Sequence, residues 1–179
     1  MITKILNVIT LSRILCAILI YLILYLESNY SLALFLFFIA SFSDFLDGYL
    51  ARKTNSVSVL GEILDPIADK LLIVFVLIGL SINLDSFLIG FISAAIISRE
   101  IWVAALRDIN SRNNQSDKTK VTFLAKTKTA IQMLAILMYL FGLTLNSMMI
   151  LFFADIVLII ALLVTIQTGF QYTISTFKK

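Results

Sequence analysis

Four aspartates stand close together in a chain in which 60% of the residues are hydrophobic and only 14% are charged. They are Asp44, Asp47, Asp65 and Asp69. Charged groups at membrane depth are costly unless they are paired, hydrated or functional, and neighbouring carboxylates cannot all stay ionised without counter-charge. Two divalent cations would supply that charge, and a pair of such ions is a known arrangement for in-line displacement at phosphorus. Because histidine is absent, the ligands would be oxygen atoms, which suit Mg²⁺ or Mn²⁺.

Helical spacing would bring these carboxylates face to face. A helix that continues through Arg52 has one face made of Asp44, Asp47, Gly48, Ala51 and Arg52. The next helix has one face made of Gly61, Asp65 and Asp69. Pro66 is compatible with that helix if it lies in the first turn, where no intrahelical donor is lost. The residues alone leave three interpretations open: a catalytic two-metal site, a buried ion-pair cluster with Arg52, Lys53 and Lys70, or the cation path of a transporter.

The elements that position this site are predicted by hydropathy. A mean hydropathy of +1.02 indicates an integral membrane protein. Six apolar runs are long enough to span a bilayer as helices: roughly 10–26, 31–50, 64–82, 86–106, 129–145 and 148–168. The sequence therefore predicts an all-α integral membrane protein with six transmembrane helices, in a single domain over residues 1–179. The polar segment 108–128 is expected to contain at most a short non-spanning helix, and the last residues are expected to form an interfacial tail.

The basic residues predict the orientation. All 14 lysines and arginines fall on one side of the six predicted spans, and the three connections on the other side contain only Glu27 and Asp85 as charged residues. By the positive-inside rule, both termini and the aspartates lie in the cytoplasm, with a polar cavity facing it. We expect a bacterial-type inner or cell membrane and no nucleic-acid partner.

The aspartate stretch resembles a known family signature. Its pattern, D-x2-D-G-x2-A-R-x8-G-x3-D-x3-D, is similar in every fixed position to that of the CDP-alcohol phosphatidyltransferases. The resemblance implies a homodimeric enzyme that transfers a phosphatidyl group from CDP-diacylglycerol to an alcohol and releases CMP. It implies that the four aspartates bind two metal ions and that Asp69 is also the general base. It further implies that the cytidine diphosphate part is held by Gly48, Ala51, Arg52, Ser58 and Gly61.

The N-terminal segment N-V-I-T-L-S-R is similar to the family's entry segment, in which Asn7 and Thr10 would contact the nucleotide. Other roles remain open for two of its residues. Thr10 is also suited to cap the first helix, and Arg13 is also suited to extend to the lipid headgroups.

The acceptor is indicated by basic residues further along the chain. Arg99 and Arg107 stand eight residues apart near the end of the fourth run, and Lys126 and Lys128 precede the fifth. Cations that converge on the metal site would suit an acceptor with its own phosphate. The two segments resemble R-E-x-x-V-x-x-L-R and G-K-x-K-T-x-x-Q of the phosphatidylglycerophosphate synthases, except that Ala125 replaces the glycine. This implies glycerol 3-phosphate as the acceptor.

Three alternatives stay open at this point. The basic residues are also consistent with topology and anionic-lipid binding alone. Another transferase of the same family, of the cardiolipin, phosphatidylserine or inositol-phosphate type, would share the aspartate motif, and a divalent-cation transporter would also need membrane aspartates. Asp155 lies within the sixth run, apart from the motif, and we expect it to make a dimer contact or a polar bond between helices.

Overall fold

The part of the chain that the structure describes is entirely α-helical apart from short connections. The computed structural model describes the backbone of residues 2–26, 29–54, 59–113 and 123–178, and the side chains within 8–26, 29–43, 61, 64–113 and 127–178. These residues form six helices and no strand: α1 (Ile2–Leu26), α2 (Tyr30–Thr54), α3 (Val59–Asn83), α4 (Phe87–Arg112), α5 (Phe123–Thr144) and α6 (Met148–Phe177). The prediction of an all-α fold is confirmed for them.

The helices are longer than the apolar runs that predicted them. α1 begins at Ile2 and α3 at Val59, and α6 continues to Phe177. The residues expected to form an interfacial tail after α6 are therefore helical as far as Phe177. Hydropathy marks only the apolar part of a helix, whereas backbone hydrogen bonding continues through polar residues.

Pro66 lies in the interior of α3, so the expectation of a proline in the first turn is wrong. Proline has no N–H to donate to the carbonyl of Glu62, one turn earlier, and its ring crowds that turn. The helix nevertheless continues to Asn83. The interrupted turn borders the cavity described below, which Pro66 helps to line.

α3 packs against three of the other described helices. α3 lies along α1 and also contacts α4 and α5, while α6 packs against α5 and α4. Two glycines allow close approach: a Cβ atom at Gly79 would lie 3.1 Å from Leu24 Cδ1 of α1, and one at Gly142 would lie 2.9 Å from Leu151 Cδ2 of α6. Both glycines are therefore close-packing positions between helices.

Four of the described helical segments are long and apolar enough to cross a bilayer: Val8–Leu26, Phe87–Arg112, Thr127–Thr144 and Met148–Phe177. Large apolar side chains such as Phe35, Phe38 and Phe152 are exposed on the outside of the bundle. In water such a surface would aggregate, but lipid tails solvate it. The structure thus has the surface of a membrane protein.

Asp155 finds its partner within the bundle. The hydroxyl of Tyr139 on α5 donates a hydrogen bond to Asp155 Oδ1 on α6, and the Tyr139 side chain is buried. The contact joins two helices within their apolar parts, where a polar group has few alternative partners. The expected polar bond between helices is confirmed.

Replacing Tyr139 with phenylalanine is expected to lower the free energy of unfolding by about 1 kcal/mol, the scale of a hydrogen bond between membrane helices. The ring would keep its packing, but Asp155 would lose the hydroxyl. Thermal unfolding in a mild detergent would measure the change. Tyr25→Phe, at an exposed position on α1, is the matched control. Equal stability of the two variants would contradict the prediction.

Candidate active site

Two contacts between α1 and α3 fix the second pair of motif aspartates. The hydroxyl of Thr10 donates to Asp65 Oδ1 at 2.8 Å, and Arg13 Nη1 donates to Asp69 Oδ1 at 3.0 Å. Because Asp65 and Asp69 are four residues apart on one helix, they lie on the same face. The parallel spacing of Thr10 and Arg13 on α1 lets each reach one of them.

These contacts exclude the alternative roles considered for Thr10 and Arg13. Arg13 has no exposed side-chain surface, so it does not extend to the headgroups. Its guanidinium group instead lies inside the bundle, where it partly neutralises the charge of Asp69 and orients that carboxylate. Thr10 lies well inside α1, which begins at Ile2, so the N-cap alternative is wrong.

A cavity of about 300 Å³ lies between α3, α4 and α5. α3 contributes Pro66, Asp69, Lys70, Ile73 and Val74, α4 contributes Ile96, Arg99, Glu100 and Arg107, and α5 contributes Lys128, Thr129 and Gln132. The structure thus brings the predicted base, Asp69, together with three of the four predicted acceptor contacts, Arg99, Arg107 and Lys128. A carboxylate and several cations around one cavity provide a proton acceptor beside a binding site for an anion.

Arg99 is held from several directions. Its Nε donates to the Thr165 carbonyl at 3.1 Å, its Nη2 to Thr168 Oγ1 at 2.8 Å and its Nη1 to Glu100 Oε1 at 2.9 Å. Three of the five N–H groups of the guanidinium are therefore used within the protein. Gly169 leaves space for the side chain, since a Cβ atom there would lie 3.0 Å from Arg99 Cγ. Arg99 thus ties α4 to α6 as well as lining the cavity.

Glu100 is the acidic centre of the cavity wall. Lys128 Nζ and Arg99 Nη1 both donate to its Oε1, and Lys70 Nζ lies 3.6 Å from its Oε2. Sequence reasoning had assigned no contact to Lys70, Glu100, Thr129 or Gln132, although all four line the cavity. Glu100, Thr129 and Gln132 are fixed positions of the two family segments, R-E-x-x-V-x-x-L-R and G-K-x-K-T-x-x-Q, and this was the available signal. Lys70 had been considered only as a member of an ion-pair cluster.

The end of α6 packs against the side of α4 that carries Arg99 and Arg107. The ring of buried Tyr172 lies within 5.8 Å of the Arg99 guanidinium and 5.6 Å of the Arg107 guanidinium. Trp102 Nε1 donates to Thr173 Oγ1, and Asn110 Nδ2 donates to Thr176 Oγ1, each at 2.9 Å. These hydrogen bonds attach the last turns of α6 to α4, and they support the continuation of α6 as far as Phe177.

With this geometry established, the chain can be compared with known proteins. A family model described as CDP-alcohol phosphatidyltransferase matches residues 4–167, which is most of the chain. The chain belongs to the CDP-alcohol phosphatidyltransferase family. The resemblance given by the aspartate motif is confirmed, and the family is one of transferase enzymes, so the transporter alternative is set aside.

Several members of the family are similar along most of the chain. The chain is 39% identical over 169 residues to the CDP-diacylglycerol–glycerol-3-phosphate 3-phosphatidyltransferase of Rickettsia bellii, covering 93% of this chain and 91% of the relative. It is 38% identical over 149 residues to the protein of the same name from Haemophilus influenzae, covering 82% and 78%. The relative of that name from Escherichia coli is 31% identical over 132 residues, covering 73% and 72%.

Several residues that the family motif points to lie outside the described side chains. Ser58 lies between the described ends of α2 and α3, and the following residues lie on described helices without described side chains: Asn7, Asp44, Asp47, Gly48, Ala51, Arg52 and Lys126. Gly61 lies on α3, one turn before Asp65. The meeting of all four aspartates and the contacts to the nucleotide therefore stay predictions.

The described half of the aspartate motif fits a divalent cation. Asp65 and Asp69 supply carboxylate oxygens, the donors preferred by Mg²⁺ and Mn²⁺. Each carboxylate accepts from a buried side chain of α1, Thr10 or Arg13. Such outer partners orient metal-binding carboxylates in other proteins. With Asp44 and Asp47 as further oxygen donors, the motif would match a site for hard cations.

Proposed function

We propose that this phosphatidyltransferase transfers the phosphatidyl group of CDP-diacylglycerol to glycerol 3-phosphate. The products would be phosphatidylglycerophosphate, a precursor in phospholipid biosynthesis, and CMP. The observation that carries the proposal is the shared cavity: Asp69 lies beside the cations Lys70, Arg99, Arg107 and Lys128. An acceptor with a phosphate group matches that charge, whereas serine or free glycerol would leave it unused. The names of the similar proteins agree with this choice.

The position of Asp69 in the cavity wall supports its proposed role as the general base. Its carboxylate would accept the proton of an acceptor hydroxyl, and the resulting oxygen nucleophile would attack the phosphorus that bears diacylglycerol. A new P–O bond would form while the P–O bond to CMP breaks, and CMP would leave with the electron pair. Arg13 holds the Asp69 carboxylate in one orientation during this exchange.

Two Mg²⁺ or Mn²⁺ ions are proposed as cofactors, held by Asp44, Asp47, Asp65 and Asp69. When bound, they would neutralise the charge of the pyrophosphate and of the leaving CMP. The cytidine diphosphate part is assigned to Asn7, Thr10, Gly48, Ala51, Arg52, Ser58 and Gly61, as the family motif implies. Thr10 would fill this role beside its bond to Asp65.

The acceptor's phosphate is assigned to Arg99, Arg107, Lys126 and Lys128. Arginine and lysine are the usual partners of phosphate oxygens. Arg107 is exposed on α4 and Lys128 is buried on α5, so the two would approach a phosphate from different helices. Arg99 would add its charge from a fixed position, since α6 holds its guanidinium.

The membrane arrangement is part of the proposal. All six helices would span a bacterial-type inner or cell membrane, with both termini and the cavity on the cytoplasmic side. The absence of lysine and arginine from the connections at 27–30, 83–85 and 143–147 supports this orientation. The protein would act as a homodimer, as the family resemblance implies.

Acceptor selectivity is the test of this function. The purified full chain, with CDP-diacylglycerol and Mg²⁺, is expected to release CMP with glycerol 3-phosphate and not with glycerol, serine or inositol phosphate. Phosphatidylglycerophosphate should accumulate in equal amount, as measured by mass spectrometry of extracted lipid. Faster CMP release with any of the other acceptors would overturn the choice of glycerol 3-phosphate while leaving the family's chemistry in place.

A further inference from the structure

Three cations of the cavity converge on a single carboxylate. Glu100 Oε1 accepts from Arg99 and Lys128, and Lys70 approaches Glu100 Oε2. The Glu100 side chain is 19% exposed and the Lys128 side chain 8% exposed, so this charge cluster is largely screened from solvent by protein. Without Glu100, the three positive groups would repel one another at short range.

The three cations differ in how they are held. Arg99 also donates to Thr165 and Thr168 on α6, so it keeps its position without Glu100. Lys70 and Lys128 come from two other helices, α3 and α5, and reach Glu100 with flexible four-carbon stems. Lys70 is also 44% exposed. The two lysines are therefore the groups that can turn toward a ligand in the cavity.

A phosphate group offers what Glu100 offers to these cations. Both groups carry negatively charged oxygen atoms, and both accept short charge-assisted hydrogen bonds. A ligand phosphate in the 300 Å³ cavity would compete with Glu100 for the same N–H groups. The competition would make phosphate binding weaker than the number of surrounding cations suggests.

We propose that Glu100 is an internal counter-anion that gives up Lys70 and Lys128 to the phosphate of the acceptor. It keeps the cations assembled when the cavity holds no acceptor, and it sets the affinity for the acceptor when one binds. Glu100 is thus a residue that determines affinity and specificity and takes no part in bond formation. This inference rests on the proposed function insofar as it identifies the competing anion with the acceptor's phosphate.

The Glu100→Gln substitution removes the negative charge of this side chain and keeps its shape. Glu100→Gln keeps a carbonyl oxygen that can accept from Arg99 and Lys128, but it removes the competing negative charge. We expect the variant to bind inorganic phosphate about tenfold more tightly than the unmodified protein at low salt, because one like charge next to the anion is gone. The difference should shrink at high salt. Titration calorimetry of the full chain in detergent with EDTA would measure this without metal or CDP-diacylglycerol.

Asp108→Asn is the matched control. Asp108 is exposed on α4 and pairs with Arg112 one turn later, so the substitution changes the net charge by the same amount outside the cavity. Its phosphate affinity should equal that of the unmodified protein. If it matched the affinity of Glu100→Gln, the gain would come from overall charge, and the proposal would be overturned.

A second variant protects the test against a folding defect in Glu100→Gln. Lys70→Gln, at a partly exposed position, should weaken phosphate binding severalfold, because it removes one of the groups that the phosphate is expected to take over. Unchanged phosphate binding in this variant would overturn the proposal even if Glu100→Gln could not be purified.

Kinetics distinguish this proposal from the proposed function. Glu100→Gln should lower the KM for glycerol 3-phosphate severalfold and leave the KM for CDP-diacylglycerol unchanged. If the unmodified protein used glycerol 3-phosphate but Glu100→Gln bound phosphate no more tightly, the role of Glu100 would be wrong and the function would stand. If phosphate binding tightened but glycerol 3-phosphate were not an acceptor, the anion site would stand and the choice of acceptor would fail.

Discussion

Replacing Asp69 with asparagine is expected to lower the turnover number for CMP release by a factor of about 10²–10⁴, the usual contribution of a general base. Asparagine has nearly the same shape and keeps an oxygen that can accept from Arg13, so the α1–α3 contact should survive. It cannot take up the proton of an acceptor hydroxyl. Steady-state CMP release with saturating glycerol 3-phosphate and Mg²⁺ would measure the loss.

Asp155→Asn is the matched control for this substitution. It also removes one carboxylate from the helical bundle, but Asp155 pairs with Tyr139 on α5 and does not line the cavity. We expect it to retain turnover close to that of the unmodified protein. An Asp69→Asn variant with comparable activity would show that the proton goes elsewhere.

Metal dependence separates the two roles proposed for Asp69. A carboxylate that only helps to hold a cation can be compensated by mass action, so a large excess of Mg²⁺ would restore turnover in the variant. Loss of a base is not compensated in this way. We expect turnover of Asp69→Asn to remain low as the Mg²⁺ concentration rises, and full recovery would assign Asp69 to metal binding alone.

The sequence predicted which carboxylates share a helix face, but it did not predict which residues of other helices hold them in place. Asp65 and Asp69 share a face because their spacing equals one helical turn, and this is visible in the sequence. The bonds from Thr10 and Arg13 join residues 55 and 56 positions apart, and they depend on α1 lying beside α3. Nothing in the local pattern of either helix indicates which other helix it packs against. The sequence therefore did not predict the buried ion pair of Arg13 with Asp69, and it was equally compatible with an arginine that extends to the lipid headgroups.

The ends of the helices show a second limit of prediction from the sequence. Hydropathy predicted the existence and order of the helices, but it failed at the polar ends of α1, α3 and α6. For α6, Thr173 and Thr176 accept hydrogen bonds from Trp102 and Asn110 of α4, so packing supports the last turns. This support comes from a partner helix, and single-sequence periodicity contains no information about the partner.

The two arginines predicted to contact the acceptor differ most clearly in burial. Both lie on α4 and both have their guanidinium close to the Tyr172 ring. Arg99 is buried and donates to Thr165 and Thr168 on α6, whereas Arg107 is exposed. Their spacing in the sequence suggested equivalent roles, and the structure gives Arg99 an additional one as a tie between two helices.

Replacing Arg99 with lysine is therefore expected to lower the free energy of unfolding by about 2 kcal/mol, the scale of one or two lost hydrogen bonds to a charged group. An ammonium group lacks the planar fork that reaches the Thr165 carbonyl, Thr168 and Glu100 together. The positive charge is kept, so lost charge would not explain the result. Thermal unfolding of the full chain in mild detergent would measure it.

Arg107→Lys provides the matched comparison on the same helix. Because Arg107 is exposed, this variant should unfold like the unmodified protein and should show only a higher KM for glycerol 3-phosphate. If Arg99→Lys instead kept full stability and raised the same KM, Arg99 would act only as a ligand of the acceptor, and its bonds to α6 would contribute little to stability. Loss of stability in Arg99→Lys alone would mean that the packing of α6 against α4 depends on one buried guanidinium. The position of Arg99 in the cavity wall would then depend on a helix that contributes no lining residue to it.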